Sequence, residues 1–331
     1  MAWINRAEWD AFIQQHPEAH LLQTPMWGMF KAEFGWRVAW VVAGKAGAQV
    51  LLRQLPLGFR IAYIPKGPVG EDWRALWPEI EAFCRRSRAI FLKVEPDAWE
   101  PMGFNPEVEL PGFRPSEPIQ PRRTIEVSLE GDEEAWLERM KQKTRYNIRL
   151  AQKKGVVVRE SQDLGVFYDL MQVTAQRDGF GIHTPEYYQR VYHWFAPGGH
   201  CVLLMAEYDG RPLAGLMAFA WGDRAWYFYG ASSDQERQRM PTYLLQWEAM
   251  RWAARRGCRV YDLWGIPDAD EEVLEAEFAQ RYAGLWGVYR FKRGFGGVVR
   301  RSVGAWDWVF LPNLYRVYHW MMRLRRRGEP A

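Results

Sequence analysis

Apolar positions at helical spacing open the chain. Trp9, Phe12 and Ile13 share one face of a helix that Asn5 and Glu8 can cap from both sides. Residues 23–36, QTPMWGMFKAEFGW, carry a second helix with Pro25 in its first turn. Trp27 and Lys31, four residues apart, lie on one side of it. The pattern then shortens to that of strands at 37–42, 50–56 and 60–64, with 44–48 as a hairpin loop. The third strand runs into Pro65-Lys66-Gly67-Pro68, which reads as a fixed turn holding up a lysine. A helix over 72–86 and a strand over 90–95 follow. Residues 96–121, rich in Pro, Gly and Glu, read as irregular connection.

The same alternation resumes with a strand over 124–129 and a helix from Asp132. The segment KQKTRYNIRLAQKKG continues as one or two helices that Gly155 closes, and a strand covers 156–159. Helices are expected over 164–177 and 185–195, the latter with Thr184 as N-cap and Pro185 at its first position. Strands follow at 201–208, 211–221 and 225–229, the first two joined through Asp209-Gly210. A helix over 242–256 and a strand over 259–263 complete this half.

One stretch echoes another. EAFCRRSRAIFLKVEPD (81–97) and WAARRGCRVYDLWGIPD (252–268) each read as a helix ending in paired arginines, an apolar strand, then Pro-Asp. Upstream of each lies a strand with an aromatic end, IAYIPKGP and WYFYGASS. Duplication of one α/β unit explains the pair economically, and chance likeness of two helix–strand corners is the alternative. The fold class is α+β. A mostly antiparallel strand run flanked by helices resembles the acyltransferase sheet of the GNAT type.

Composition narrows the function classes. With 48% hydrophobic and 25% charged residues, the chain is that of a soluble globular protein long enough for two domains. The net charge is only +4, yet residues 139–154 hold seven cations and no acid, and RLRRR at 323–327 is a second cluster. Such clusters point to polyanionic partners better than the total does. Cys84, Cys201 and Cys258 are far apart without paired spacing, so neither a disulfide framework nor a metal site is expected. The first residues lack a signal-peptide pattern, and no apolar run approaches the roughly 20 residues of a spanning helix. A cytoplasmic protein is expected.

The stretch with the most suggestive chemistry is WGVYRFKRGFGG, 286–297. Residue types alone admit two readings: a solvent-exposed turn with ordinary surface cations, or glycines that let Lys292 and nearby N–H groups approach a phosphate or a developing oxyanion. A GNAT enzyme that uses acyl-coenzyme A cradles its pyrophosphate with a [RQ]-x-x-G-x-[GA] loop at a helix N-terminus. The corresponding SSDQERQRMPTYLLQWEAM, 232–250, has no such glycines and has Pro241 where a donor would be wanted. An acyl-coenzyme A donor is disfavoured, and no cofactor is expected.

Over nearly its whole length the chain resembles the FemABX peptidyltransferases. The matching segments are QTPMWGMFK, KQKTRYNIRLAQKKGV, TAQRDGFGIH, WYFYGASS, MPTYLLQWEAMRWAARRGCRVYDLWG and GVYRFKRGFGG, specific in their order and spacing rather than singly. The resemblance implies tandem GNAT-like lobes with a cleft between them: residues 1–125, completed by 305–331, and residues 126–304. No segment resembles the long helical hairpin that some members insert, so the compact type is implied. The implied activity is transfer of an amino acid from aminoacyl-tRNA to an amine of a lipid-linked or UDP-linked peptidoglycan precursor. Lys292 aligns with the lysine thought to stabilise the acyl-transfer transition state. Lys31 matches the lysine of the W-x-x-x-K helix near the precursor's phosphates, and Tyr243 a cleft-facing tyrosine. Lys66, Arg177 and Tyr229 are further substrate-binding candidates from strand ends and motif edges.

No His–Asp or Cys–His arrangement demands an enzyme nucleophile; Asp178 and Asp262 are candidate proton acceptors. Lys141, Arg145 and Arg149 fall on one side of a helix, with Tyr146 and Ile148 or Leu150 inward, as candidate tRNA or phosphate contacts. Residues 311–327 form an amphipathic helix whose stripe Leu314, Val317, Tyr318, Met321 and Leu324 is expected to pack on the first lobe. Its arginines could also favour peripheral contact with the inner face of the plasma membrane. Two other functions remain open: aminoacyl-tRNA-dependent transfer to a protein or other amine, and a non-catalytic module binding a cell-envelope polysaccharide precursor.

Overall fold

The computed structural model describes residues 2–101, 103–282 and 284–328, with the backbone alone at residues 2 and 325–328. It divides into two units, Met1–Arg122 with Arg301–Ala331, and Arg123–Arg300.

The first unit is built on a sheet whose strands lie in the order Ala2–Ile4, Trp36–Ala43, Ala46–Gln54, Arg60–Pro65, Ala89–Glu95, Ala305–Val309, Arg114–Ser116. Neighbours are antiparallel except Arg60–Pro65 and Ala89–Glu95, which are parallel and joined through the helix Trp77–Arg86. A parallel pair needs such a crossover, and the helix seats Trp77, Ile80 and Cys84 in the core. The hairpin expected over 44–48 is tighter: Ala43 already pairs with Ala46, leaving Gly44 and Lys45 as the turn. The Ala-Gly-Ala run extends the strand because small residues fit beneath Trp9 and Phe12; a Cβ on Gly47 would meet Phe12 Cε1 at 2.6 Å. Residues 96–121 are less irregular than expected, holding Trp99–Glu100, Pro106–Glu109 and Arg114–Ser116.

In the second unit the strands follow the order Val157–Ser161, Cys201–Tyr208, Arg211–Trp221, Arg224–Ser232, Val260–Asp262, Arg123–Ser128. Again one pair is parallel, Arg224–Ser232 with Val260–Asp262, and again a helix, Pro241–Arg255, makes the crossover. The long central strand serves two cores. Leu216, Ala218 and Ala220 meet Leu244, Leu245 and Ala249 of the crossover helix on one face. Gly215 and Phe219 meet Phe167 and Phe195 of the helices Leu164–Asp178 and Pro185–Phe195 on the other.

Two elements differ from the sequence reading in ways that matter for function. Residues 286–297 form an α-helix, Leu285–Lys292, with a 3₁₀ turn, Arg293–Phe295, not an exposed glycine turn. The helix Pro312–Gly328 is present and packs on the first unit through Tyr318 as expected, but the rest of the packed face differs from the expected stripe. Tyr315, Tyr318 and His319 surround Phe91, at ring-centroid distances of 5.1, 5.4 and 5.9 Å. Val317, Met321 and Leu324 point outward. The helix has apolar residues on two faces, and its aromatic one fits the pocket beside Phe91. Within the arginine cluster 323–327, the side chains of 325–327 lie outside the described residues. Among the described residues, no helix is long and apolar enough to cross a membrane.

Candidate active site

The second unit interrupts its crossover strand next to Lys292. Leu263 N–H donates to the Ile125 carbonyl at 2.9 Å and Ile266 N–H to the Arg123 carbonyl at 3.0 Å. Between those rungs Trp264 and Gly265 bulge out of the ladder. Trp264 takes a left-handed backbone, φ 61°, which is unfavourable by about 1–2 kcal/mol for a residue with a Cβ. Its N–H donates to Asp262 Oδ1 at 2.7 Å, and the Thr124 hydroxyl donates to that same oxygen. The carboxylate therefore holds the bulge from beneath.

The bulge turns two carbonyls toward the end of the Leu285–Lys292 helix. Lys292 Nζ donates to the Gly265 oxygen at 2.8 Å and to the Trp264 oxygen at 3.1 Å. It also lies 5.5 Å from the centroid of the Tyr227 ring. Only 4% of the residue is exposed. Burial lowers its pKa to about 7, against the opposing pull of Asp262. An ammonium that titrates near neutrality, has three donors and spends two on neutral carbonyls is suited to meeting a developing negative charge.

The glycines behind Lys292 position this helix instead of presenting N–H groups to solvent. A Cβ on Gly294 would meet Thr144 Oγ1 at 2.1 Å, and one on Gly296 (φ 79°) would meet the Arg139 carbonyl at 2.2 Å. That close approach lets Lys141 N–H donate to the Gly294 oxygen at 2.9 Å. Glu275 fixes the helix from another side. It accepts from both nitrogens of the Arg293 fork, Nε at 2.7 Å, and from the Tyr289 hydroxyl at 2.6 Å. Chiefly through Arg293, the Glu275 carboxyl is held down at about 2.

The other candidates of this unit take varied positions. Tyr243 packs its ring on Phe291 and Phe295, either side of Lys292 in sequence, with centroids 5.0 and 6.0 Å away. Burial raises its phenol pKa. Tyr229 donates to the Tyr187 hydroxyl at 3.4 Å within a cluster that includes Tyr188 and His183. Arg177 is committed to Asp178, at 2.8 and 2.9 Å, to Asp234 at 3.0 Å and to the Ser232 carbonyl at 3.1 Å. Asp178 is thus an ion-pair partner, and Asp262 a support for the bulge.

The three candidate cations at the basic helix Gln142–Lys153, of which Lys141 is the N-cap, do not act alike. Arg145 donates to the carbonyls of Leu137, Glu138 and Met140, capping the preceding helix. Lys141 is half-exposed and lies 3.6 Å from Glu275, while Arg149 is exposed. Tyr146, expected inward, is 61% exposed; Thr144, Asn147, Ile148 and Ala151 form the buried face, because Thr144 is the residue that nests against Gly294.

In the first unit, Lys31 extends from the helix Pro25–Glu33 among rings. Its Nζ is 5.7 Å from the centroids of Trp27 and Phe30 and 6.0 Å from that of Trp36. Desolvation, then the nearby Arg53 charge, lower its pKa to about 8. Lys66 lies in the expected turn but is buried. It is 3% exposed, 3.9 Å from Asp97 and 5.2 Å from the centroid of Trp99, in a left-handed turn with φ 49°. It helps line a cavity of about 490 Å³ with His20, Trp73 and Asp97.

Tyr243 and Lys292 therefore share one packed corner of the second unit, while Tyr229 belongs to an aromatic cluster with Tyr187 and Arg177 to an ion-pair group with Asp178 and Asp234. Three residues that build the corner had no individual signal in the sequence: Thr124, Trp264 and Glu275. Each acts across a long sequence separation that periodicity does not register. Among the described residues, no group of His, Cys, Asp or Glu is arranged to hold a metal ion.

Comparison with known proteins agrees with this architecture. The FemAB family model matches residues 4–105 and the acetyltransferase (GNAT) domain model residues 138–293. Lipid II:glycine glycyltransferase of Staphylococcus haemolyticus (strain JCSC1435) is 25% identical, over 95% of this chain and 94% of its own length. That alignment runs over 404 positions, more than the 331 residues here, so the relative has stretches that no residue of this chain faces. The crystal structure of FemX superposes with a TM-score of 0.84 at 22% identity, covering 96% of this chain and 99% of that one. A tandem GNAT protein from the clavulanic acid biosynthesis pathway gives a TM-score of 0.54 at 11% identity, over 92% and 97% of the two chains. With one family model on each unit and relatives aligned along almost all its length, the chain is similar to the FemAB family and is built of tandem GNAT-like units.

Proposed function

We propose that this protein transfers an amino acid from aminoacyl-tRNA to an amine of a peptidoglycan precursor, with Lys292 as the catalytic cation. The observation that carries the reading is the setting of Lys292: buried, held by two neutral carbonyls and poised near neutrality. The name of the S. haemolyticus relative supports a lipid II-type acceptor. A donor other than acyl-coenzyme A is supported by the entry to the helix Pro241–Arg255. The residues ahead of it hold no glycine, and Pro241 at its first position has no N–H to offer a phosphate.

In the reaction, the neutral amine attacks the ester carbonyl that joins the amino acid to the terminal ribose. The carbonyl oxygen becomes an oxyanion, and the third N–H of the Lys292 ammonium meets it. Collapse of the intermediate forms the amide and breaks the ester C–O bond. The proton shed by the amine ends on the departing ribose oxygen, so no enzyme nucleophile is needed. Because the ester is already activated, orientation and oxyanion support can supply much of the rate. Within this proposal, Tyr243 positions the acceptor by its hydroxyl, and Lys31 and Lys66 bind the precursor. Lys141 and Arg149 meet the polyanionic donor, while Arg145, Arg177 and Tyr229 shape the surrounding surface.

Incubation with a mixed radiolabelled aminoacyl-tRNA pool tests the proposal, with lipid-linked precursor, UDP-linked muropeptide and peptides as separate acceptors. Label should appear on a precursor. Transfer to peptides alone would assign a different acceptor amine, and transfer to none would contradict an aminoacyltransferase.

A further inference from the structure

The helix Pro312–Gly328 has one face committed to the first unit and another facing solvent. Tyr315, Tyr318 and His319 pack on Phe91, and the Tyr315 hydroxyl donates to the buried Asp307 at 2.7 Å. Arg114 covers the other side of the Tyr315 ring, 4.1 Å from its centroid. These contacts fix how the helix is rotated. Val317, Trp320, Met321 and Leu324 then project outward, 48, 62, 46 and 47% exposed. They stand at i, i+3, i+4 and i+7, which places them on a stripe about 100° wide.

Charge indicates what the stripe meets. From Pro312 to Gly328 the sequence carries Arg316, Arg323 and Arg325–Arg327, and no acidic residue. Arg316 and Arg323 are exposed beside the stripe. A second protein surface covering a stripe this narrow would have to neutralise five cations. An anionic bilayer does so with its headgroups while accepting the apolar side chains at the acyl boundary, where a tryptophan is favourably placed. We propose that this helix is an interfacial anchor that docks the protein on an anionic lipid surface, its apolar stripe inserted and its arginines among the headgroups. The inference rests on the helix alone and does not depend on the donor or acceptor of the reaction.

Co-sedimentation of the full chain with vesicles tests it, using phosphatidylcholine alone or phosphatidylcholine with phosphatidylglycerol. Binding should require the anionic lipid and weaken with salt. The variant V317S/W320S/M321S/L324S, altered only at exposed positions, should lose about tenfold or more of that binding. Its circular dichroism and its urea midpoint should stay unchanged. Equal partitioning of wild type and variant, or no binding by the wild type, would overturn the proposal. Sedimentation velocity without lipid supplies a further check: self-association that the same substitutions abolish would assign the stripe to a second copy and overturn it as well.

Discussion

The two units share a strand order but use their crossover strands differently. In the first, Ala89–Glu95 runs seven residues in the ladder, parallel to Arg60–Pro65 and antiparallel to Ala305–Val309. Its buried cation, Lys93, sits 2.8 Å from the buried carboxylate of Asp307 and also donates to Ser116 and the Glu117 carbonyl. In the second, the strand stops after Val260–Asp262 and bulges at Trp264-Gly265. The buried cation there, Lys292, is bonded to carbonyls that the bulge has removed from the ladder. A cation matched by a carboxylate is a structural pair. One held by neutral dipoles keeps a charge to offer a substrate, at a cost in desolvation that its lowered pKa registers. The same architecture thus gives one crossover strand whose cation is paired with a carboxylate and one whose neighbouring cation is held by neutral carbonyls, where the proposed chemistry would lie.

The largest expected effect breaks the structural pair. Asp307→Ala should strand the Lys93 charge in the core and destabilise the protein by about 3–5 kcal/mol, measured by urea unfolding. Next comes the support under the bulge. Asp262→Ala removes the acceptor of both Thr124 and the Trp264 N–H and should lower stability by about 2–3 kcal/mol. Unlike the Asp307 change, it should also slow transfer in the fraction that remains folded. Asp262→Asn, which keeps an acceptor oxygen, should lose less of both. Loss of stability with an unaltered transfer rate in Asp262→Ala would erase the distinction between the units.

A pH profile sharpens the comparison without a core substitution. Below the acceptor amine's own pKa, about 10 for an alkylamine, its neutral fraction rises tenfold per pH unit. Lys292 loses its ammonium as pH rises through about 7. The single-turnover rate should therefore rise up to about pH 7 and level off above it. With Lys292→Arg, whose guanidinium stays charged, the rise should continue past that point even if the absolute rate is low. A wild-type profile still rising at pH 9 would show that the ammonium is not required.

The smallest effect concerns Glu275. Its carboxyl titrates at about 2 when folded and near the ordinary value of 4.5 when unfolded, so between those values the unfolded chain binds more protons. The stability contributed by the Glu275–Arg293 contact is present above about pH 4.5 and is lost as pH falls toward 2. The carboxylate is 42% exposed, so solvent screening keeps this contribution below about 1 kcal/mol. Glu275→Gln should remove the corresponding acid-dependent loss from urea midpoints compared between pH 5 and pH 3.

Local signals carried the elements that the sequence located well. Thr184 and Pro185 mark the start of the helix Pro185–Phe195, and Asp209-Gly210 separates the strands Cys201–Tyr208 and Arg211–Trp221 at their observed ends. What was not legible depends on contacts distant in sequence. The bulge at Trp264 follows directly on the strand that periodicity reads over 259–263, and periodicity carries no sign of it. A lysine among arginines and glycines reads as surface charge until the carbonyls of Trp264 and Gly265 are placed beside it. Arg145 looks like a free phosphate contact, yet its guanidinium caps a neighbouring helix. Apolar residues occur on both sides of Pro312–Gly328, and only Phe91 decides that Tyr315 and Tyr318 pack while Val317 and Met321 face outward.

The central claim is that the carbonyl-held lysine of the second unit carries the chemistry. The direct measurement is single-turnover transfer by Lys292→Met, with precursor saturating and folding confirmed by circular dichroism and urea unfolding. Removing the cation that meets the oxyanion should slow the step by about 10²–10³-fold while the chain stays folded. An unchanged rate in a folded variant would contradict the account.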